Sequence, residues 1–275
     1  MRLATRCSVL LVLVGMTGCI ESTTVVKVRP DGSGTIMQTT TMSAQMAATM
    51  KKMVADMAKS LGGEKAAPVG DLFPETEARR NALKLGKGVR YVSSERIQTA
   101  DAEGIRASYA FDDVTKLRID EKPNAPAAAG AAVPAGGGSE NMMFRFSKQA
   151  NGNSLLTVLI PRDKGKSDAP VPDTGARPGE ATPEQLARMK EMFNGLKISI
   201  AVEVDGKLVR TNGAYVEGPK VTVFEVDMGQ LLSDEAKLME LAKIKTIDQA
   251  KEALKGLKGV KVDLGPEIQI EFSGR

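Results

Sequence analysis

Side chains able to do chemistry are few in this 275-residue chain, and the types it lacks narrow the field first. There is no His, no Trp and only two Cys, so any mechanism needing imidazole as base, metal ligand or proton shuttle is excluded. Three spacings still invite a chemical reading. Asp112-Asp113 would offer paired carboxylates, but neighbours on a strand point to opposite faces and cannot share one substrate atom, so a solvated turn or helix cap is expected. Asp31 and Ser33 suit a calcium loop only if a third oxygen ligand and a distal Glu follow at fixed spacing; neither does, and a plain turn is expected. Met42, Met46, Met50, Met53 and Met57 recur at steps of four, four, three and four, which places them on one helical face. Such a face is expected to look into the core. It also suits a soft groove for acyl chains or a partner helix, or a thioether copper site. No metal or cofactor is expected.

The elements around these residues begin with an address. Arg2 and Arg6 precede the apolar run Val9–Val14, and small residues lead to Cys19, the layout of a secretory signal. The uncharged stretch from Cys7 to Ile20 is roughly 21 Å long as a helix, against a hydrocarbon core about 30 Å thick, so no permanent span is expected. Ordinary cleavage wants small residues one and three positions before the cut, and Met16 spoils a cut after Gly18. Met16-Thr17-Gly18-Cys19 instead resembles a bacterial lipobox. That resemblance implies a diacylglycerol joined to Cys19 through a thioether, cleavage between Gly18 and Cys19, and acylation of the new amine. Two or three acyl chains hold a protein stably where one does not. Cys7 leaves with the signal, so the mature chain keeps no thiol for a disulfide or a nucleophile. Because Thr23–Arg29 already reads as a strand, only Ile20, Glu21 and Ser22 remain as tether, roughly 10 Å when extended. The body is expected to rest against the headgroups.

Residues 1–18 are therefore expected to be signal peptide and 19–275 a single extracytoplasmic domain. Its flexible insertions lie at about 122–140, rich in Ala, Pro and Gly, and at 161–181. Pro30-Asp31-Gly32-Ser33-Gly34 predicts a hairpin turn between Thr23–Arg29 and Thr35–Met42. Ser43 predicts the cap of the methionine helix, which Gly62-Gly63 ends. A helix over Glu75–Leu85, strands over Val89–Ile97 and Gly104–Phe111, and a hairpin around Asn151-Gly152 follow. Thr182-Pro183-Glu184-Gln185 caps another helix. Leu196–Val204 alternates apolar and polar with period two; turns at Asp205-Gly206 and Asn212-Gly213 then predict a meander through Lys207–Thr211 and Lys220–Val226. Two short helices from Ser233 to Gly259 and strands Val260–Leu264 and Ile268–Phe272 close the chain. The sum is an α+β fold, a largely antiparallel, curved sheet of about ten short strands with helices packed on one face.

Cys19 followed at once by strand-turn-strand, then Phe111-Asp112-Asp113-Val114, then Thr211-Asn212-Gly213-Ala214 before Val221-Thr222-Val223-Phe224, resemble the LppM-type bacterial lipoproteins. The resemblance implies an extracytoplasmic, lipid-anchored α+β domain that holds a lipid or other apolar ligand. The two insertions and the helices from Ser233 to Gly259 depart from it. A net charge of +4 is too even for a nucleic-acid surface. No Gly-x-Ser-x-Gly elbow, phosphate loop or dinucleotide glycine pattern occurs, so an enzyme is not expected. The leading expectation is a noncatalytic lipoprotein of the cell envelope, held to the membrane through Cys19, with Met46, Met50, Met53 and Met57 as apolar ligand contacts. The alternative is a structural or protein-interaction component of the envelope, its partner unnamed by the sequence. In a host with two membranes, Ile20 after the cysteine favours the outer one.

Overall fold

The computed structural model describes residues 20–60, 71–120, 141–160, 195–231, 233, 257–263 and 265–274. In its first half the strands are β1 (Ile20–Val28), β2 (Gly34–Ser43), β3 (Arg90–Gln98), β4 (Ala102–Phe111), β5 (Met143–Lys148) and β6 (Ser154–Leu159). The second half supplies β7 (Leu196–Val204), β8 (Lys207–Thr211), β9 (Tyr215–Glu217), β10 (Lys220–Asp227), β11 (Val260–Val262) and β12 (Glu267–Ser273). Helix α1 covers Ala44–Ser60, α2 Glu75–Lys84 and the single turn α3 Met228–Leu231. The expected insertions, the helix from Thr182 and the helices beyond Ser233 lie outside the described residues.

Threonine and valine fill β1 and β2, and β-branched side chains suit a pleated surface. The turn between them is an Asx turn: Asp31 Oδ1 accepts from the Ser33 amide at 2.9 Å and from its hydroxyl at 2.7 Å. That hairpin seeds an open, mixed eight-stranded sheet ordered β11-β10-β7-β1-β2-β4-β3, with β9 against β10. Strand β1 lies in its interior, antiparallel to β2 and parallel to β7 over its full length. A second sheet of four strands is ordered β5-β6-β12-β8.

Two sheets replace the one that the pattern predicts, and the expected meander is not formed. Strand β8 leaves the large sheet and pairs with β12 in the small one, while β10 returns to β7. The chain turns this corner at Gly206, where a Cβ would stand 2.0 Å from the Ser273 carbonyl oxygen. Asn212 then locks the return, donating from Nδ2 to the Glu267 carbonyl at 3.2 Å and accepting from the Gln269 amide at 2.6 Å. A two-residue turn signal cannot say which sheet its second strand will join.

Alternation makes the large sheet two-faced. On one face run Lys27–Glu203, Lys261–Glu225 and Arg106–Glu95 ion pairs. On the other, Val26, Val28, Ile36, Tyr109, Phe111 and Val202 share a core with Leu156, Val158, Ile268, Ile270 and Phe272 of the small sheet and with Ala78 and Ala82 of α2. Each of the buried Val, Leu, Ile and Phe side chains contributes about 1.5–3 kcal/mol by leaving water.

Candidate functional site

Gly18 and Cys19 lie outside the described residues, but the chain immediately after them is fixed. Ile20 is the first residue of β1 and is paired on both sides, with Met42 of β2 and Leu196 of β7. The expected tether of Ile20, Glu21 and Ser22 is therefore strand. Glu and Ser are poor strand formers alone, and two flanking extended partners override that preference.

The methionine helix is capped as predicted, with the Met46 amide donating to Ser43 Oγ at 3.3 Å. Its stripe, however, does not stay on one kind of surface. Met42 and Met50 are buried with Ala47 and Phe73, and Met46, Ile20, Leu72 and Ile105 pack around them. Met53, one step further, is 51% exposed. The Met57 side chain lies outside the described residues. Among the described residues the packed cluster reaches as far as Met50, and Met53 beyond it meets solvent.

Beside this cluster opens a cleft of about 270 Å³, lined by Lys51, Asp71, Phe73, Arg96, Ile97, Gln98, Glu103 and Gly104. Lys51 Nζ on α1 donates to both Glu103 oxygens, at 2.9 and 2.6 Å. Arg96 on β3 pairs with Asp71, whose other oxygen accepts from the Phe73 amide at 3.0 Å and holds that ring in place. Gly104 admits the close passage of β2, since a Cβ there would lie 2.2 Å from the Thr40 carbonyl oxygen. The cleft is half-open, with Phe73 among its lining and charge at its rim. Sequence reasoning missed it, because its members come from four separated segments and no spacing links them.

The strand registers fix its position. Ile20 pairs with Met42, Met42 with Glu103, and Glu103 with Gln98. At about 4.8 Å per strand, Glu103 stands about 10 Å from Ile20 and Gln98 about 14 Å, in the same row across the sheet. The cleft, the methionine cluster and Ile20, the first residue of β1, thus share one end of the sheet.

Between this end and the main core lies a buried polar band on the same face: Ser22 and Thr24 on β1, Gln38 and Thr40 on β2, and Asn81 from α2. Gln38 Nε2 donates to Thr24 Oγ1 at 3.3 Å, and Asn81 Nδ2 donates to Gln38 Oε1 at 2.5 Å. Nearby, the Tyr109 hydroxyl donates to the Ala78 carbonyl at 3.1 Å, and burial pushes the phenol above its ordinary pKa.

The two carboxylates weighed for catalysis are engaged separately. Asp112 forms a two-armed ion pair with Arg90 at 2.6 and 2.9 Å, which holds it below the ordinary range. Asp113 caps the 3-10 turn Val114–Lys116; the Thr115 hydroxyl and amide donate to it and lower its pKa. Among the described residues no three His, Cys, Asp or Glu side chains gather as a metal site, and no helix is long and apolar enough to cross a membrane.

Among solved structures the chain is similar to the NMR structure of the folded domain of the Mycobacterium tuberculosis LppM protein. Identity is 8%, the match covers 94% of this chain and 91% of that one, and the TM-score is 0.30. No family model and no curated protein matches the chain.

Proposed function

We propose that the protein is a noncatalytic lipoprotein of the bacterial envelope, anchored through an acylated Cys19, which holds a lipid or other apolar ligand where its anchored end meets the membrane. The observation that carries this reading is the entry of the chain: Ile20 already belongs to an interior strand, so acyl chains on the preceding residue would hold the sheet end itself against the headgroups. A freely hinged body would need several linker residues there. The methionine cluster and the cleft lie at that end, and Met53 offers an adaptable thioether surface beside them. The engagement of Asp112 and Asp113 in an ion pair and a cap supports a noncatalytic role.

The experiment replaces Cys19. Wild-type protein should incorporate labelled palmitate and sediment with membranes, Cys19→Ser should do neither, and organic extraction of the purified wild type should release a lipid beyond the covalent one. Unchanged fractionation of Cys19→Ser would remove the anchor from the reading, and an empty extract would remove the ligand.

A second reading, an interaction component of the envelope, draws on β3. It is the terminal strand of the large sheet, with no partner on its far side among the described residues, and carries Val92 at 57% exposure. Crosslinking from position 92 that captures one dominant envelope protein would favour it.

A further inference from the structure

Four charged side chains meet at the cleft as two ion pairs, Asp71–Arg96 and Glu103–Lys51. They are drawn from the loop before α2, from β3, from β4 and from α1, and pair two by two. The cleft is therefore neutral as a whole, yet each of its charges has only one oppositely charged partner in these pairs and remains partly exposed: side-chain exposure is 40% for Lys51, 26% for Glu103, 65% for Arg96 and 24% for Asp71.

That arrangement discriminates among ligands. A lone anion must compete with carboxylates already seated on both cations and leaves those carboxylates without a partner; a lone cation meets the mirror problem. A molecule carrying an anionic and a cationic group on a short stem can insert between the pairs. Each protein charge that loses its partner then gains one, and the net charge does not change. Phe73 adds an apolar surface for the stem, and Gln98 places an exposed amide at the mouth. A volume of about 270 Å³ is below the usual range of sites that enclose a drug-sized apolar molecule. It suits a small polar group.

We infer that this cleft binds a phosphate–ammonium zwitterion of the phosphoethanolamine class, phosphate toward Lys51 and Arg96, ammonium toward Glu103 and Asp71. Free phosphoethanolamine and the headgroup of phosphatidylethanolamine share this chemistry. The headgroup source rests on the proposed anchoring through Cys19, because the row Ile20–Met42–Glu103–Gln98 puts the cleft level with the first residue of the strand.

The test is an NMR titration of the full-length protein in an uncharged maltoside detergent, following the amides of Lys51, Phe73, Gln98 and Glu103. Phosphoethanolamine should shift them saturably. Inorganic phosphate and ethanolamine, each alone, should bind at least about tenfold more weakly, and Glu103→Gln should weaken phosphoethanolamine by about tenfold with the remaining spectrum unchanged. Nanodiscs containing phosphatidylethanolamine, against phosphatidylglycerol ones, identify the source: shifts in these discs but not with the soluble compound assign the site to a lipid headgroup, and shifts with both assign it to the shared chemistry. Equal affinity for inorganic phosphate, or no saturable shift with either the soluble compound or the discs, overturns the inference; the wild-type titration decides this even if Glu103→Gln does not fold. Titrating Cys19→Ser separates the two proposals. Loss of membrane attachment with zwitterion binding retained leaves both standing, and unchanged attachment with binding retained removes only the anchor.

Discussion

The two ends of the large sheet's inner face are built on different terms. At the Val26/Val28 end the small sheet and α2 close over a continuous apolar core. At the Ile20/Met42 end the cover among the described residues is one helix of methionines and a loop Phe, flanked by a cleft rimmed with charge. Between them the same strands turn polar for two rows, Thr24 opposite Gln38 and Ser22 opposite Thr40. The difference teaches where stability and adaptability are separated. A core with interlocking rings and β-branched side chains resists change, whereas thioethers with three rotatable bonds repack cheaply. The end that we assign to the membrane is the end able to adjust.

The largest expected effect comes from breaking the rigid end. Phe272 is fully buried between β12 and the large sheet, so Phe272→Ala should lose about 3–5 kcal/mol of unfolding free energy. Met50→Ala, in the cluster at the other end, should lose about 2 kcal/mol, near the floor for such a truncation, since half-buried Met46 and exposed Met53 beside it can move in. Chemical denaturation of both variants measures the contrast directly. Equal losses would mean that the methionine end is as tightly packed as the core, and would end the comparison.

The polar band sharpens it next. Gln38 joins Thr24 on its own sheet to Asn81 on α2, so Gln38→Leu leaves two buried polar groups without their partner and should cost about 1–3 kcal/mol. A double change, Gln38→Leu with Asn81→Leu, should recover part of that loss, because removing both partners of a buried pair is milder than removing one. If the double variant is worse than either single one, the band contributes through packing and not through its hydrogen bonds.

These positions also show how far the sequence could be read. The hairpin turn at Asp31, the Ser43 cap, the helix before Gly86 and the period-two strand Leu196–Val204 are local facts, and local chemistry predicts them. What was hidden is long-range. Nothing in Ile20–Val28 announces a parallel partner at Leu196–Val204, and nothing at Asp205-Gly206 announces a change of sheet. The methionine spacing correctly marks one helical face, but where its packed cover ends depends on Phe73 and Ile105, which belong to other elements. The cleft is the extreme case. Lys51 and Glu103 are ordinary surface charges until β4 and α1 meet, and only the tertiary register makes them a pair.

The smallest effect concerns a single exposed turn at the rigid end, and its sign can be worked out from the geometry. Asp113 accepts from the Thr115 hydroxyl at 2.7 Å and amide at 3.0 Å, and the turn it caps holds the β1–β2 loop through the Val114 amide on the Gly32 carbonyl at 2.9 Å. These donors favour the ionised form and lower the carboxyl pKa, the Thr115 hydroxyl most, with Lys116 adding. A group whose folded pKa is depressed stabilises the fold above its unfolded pKa, about 3.9 for Asp, and loses that contribution as pH falls through the folded value. Asp113→Ala should therefore cost about 0.5 kcal/mol at neutral pH, the low end for a lost cap because the side chain is well exposed to solvent. The gap between variant and wild type should narrow as denaturation is repeated at pH values falling below about 4. A gap that stays constant down to pH 3 would show that the cap acts through its shape and not through its charge.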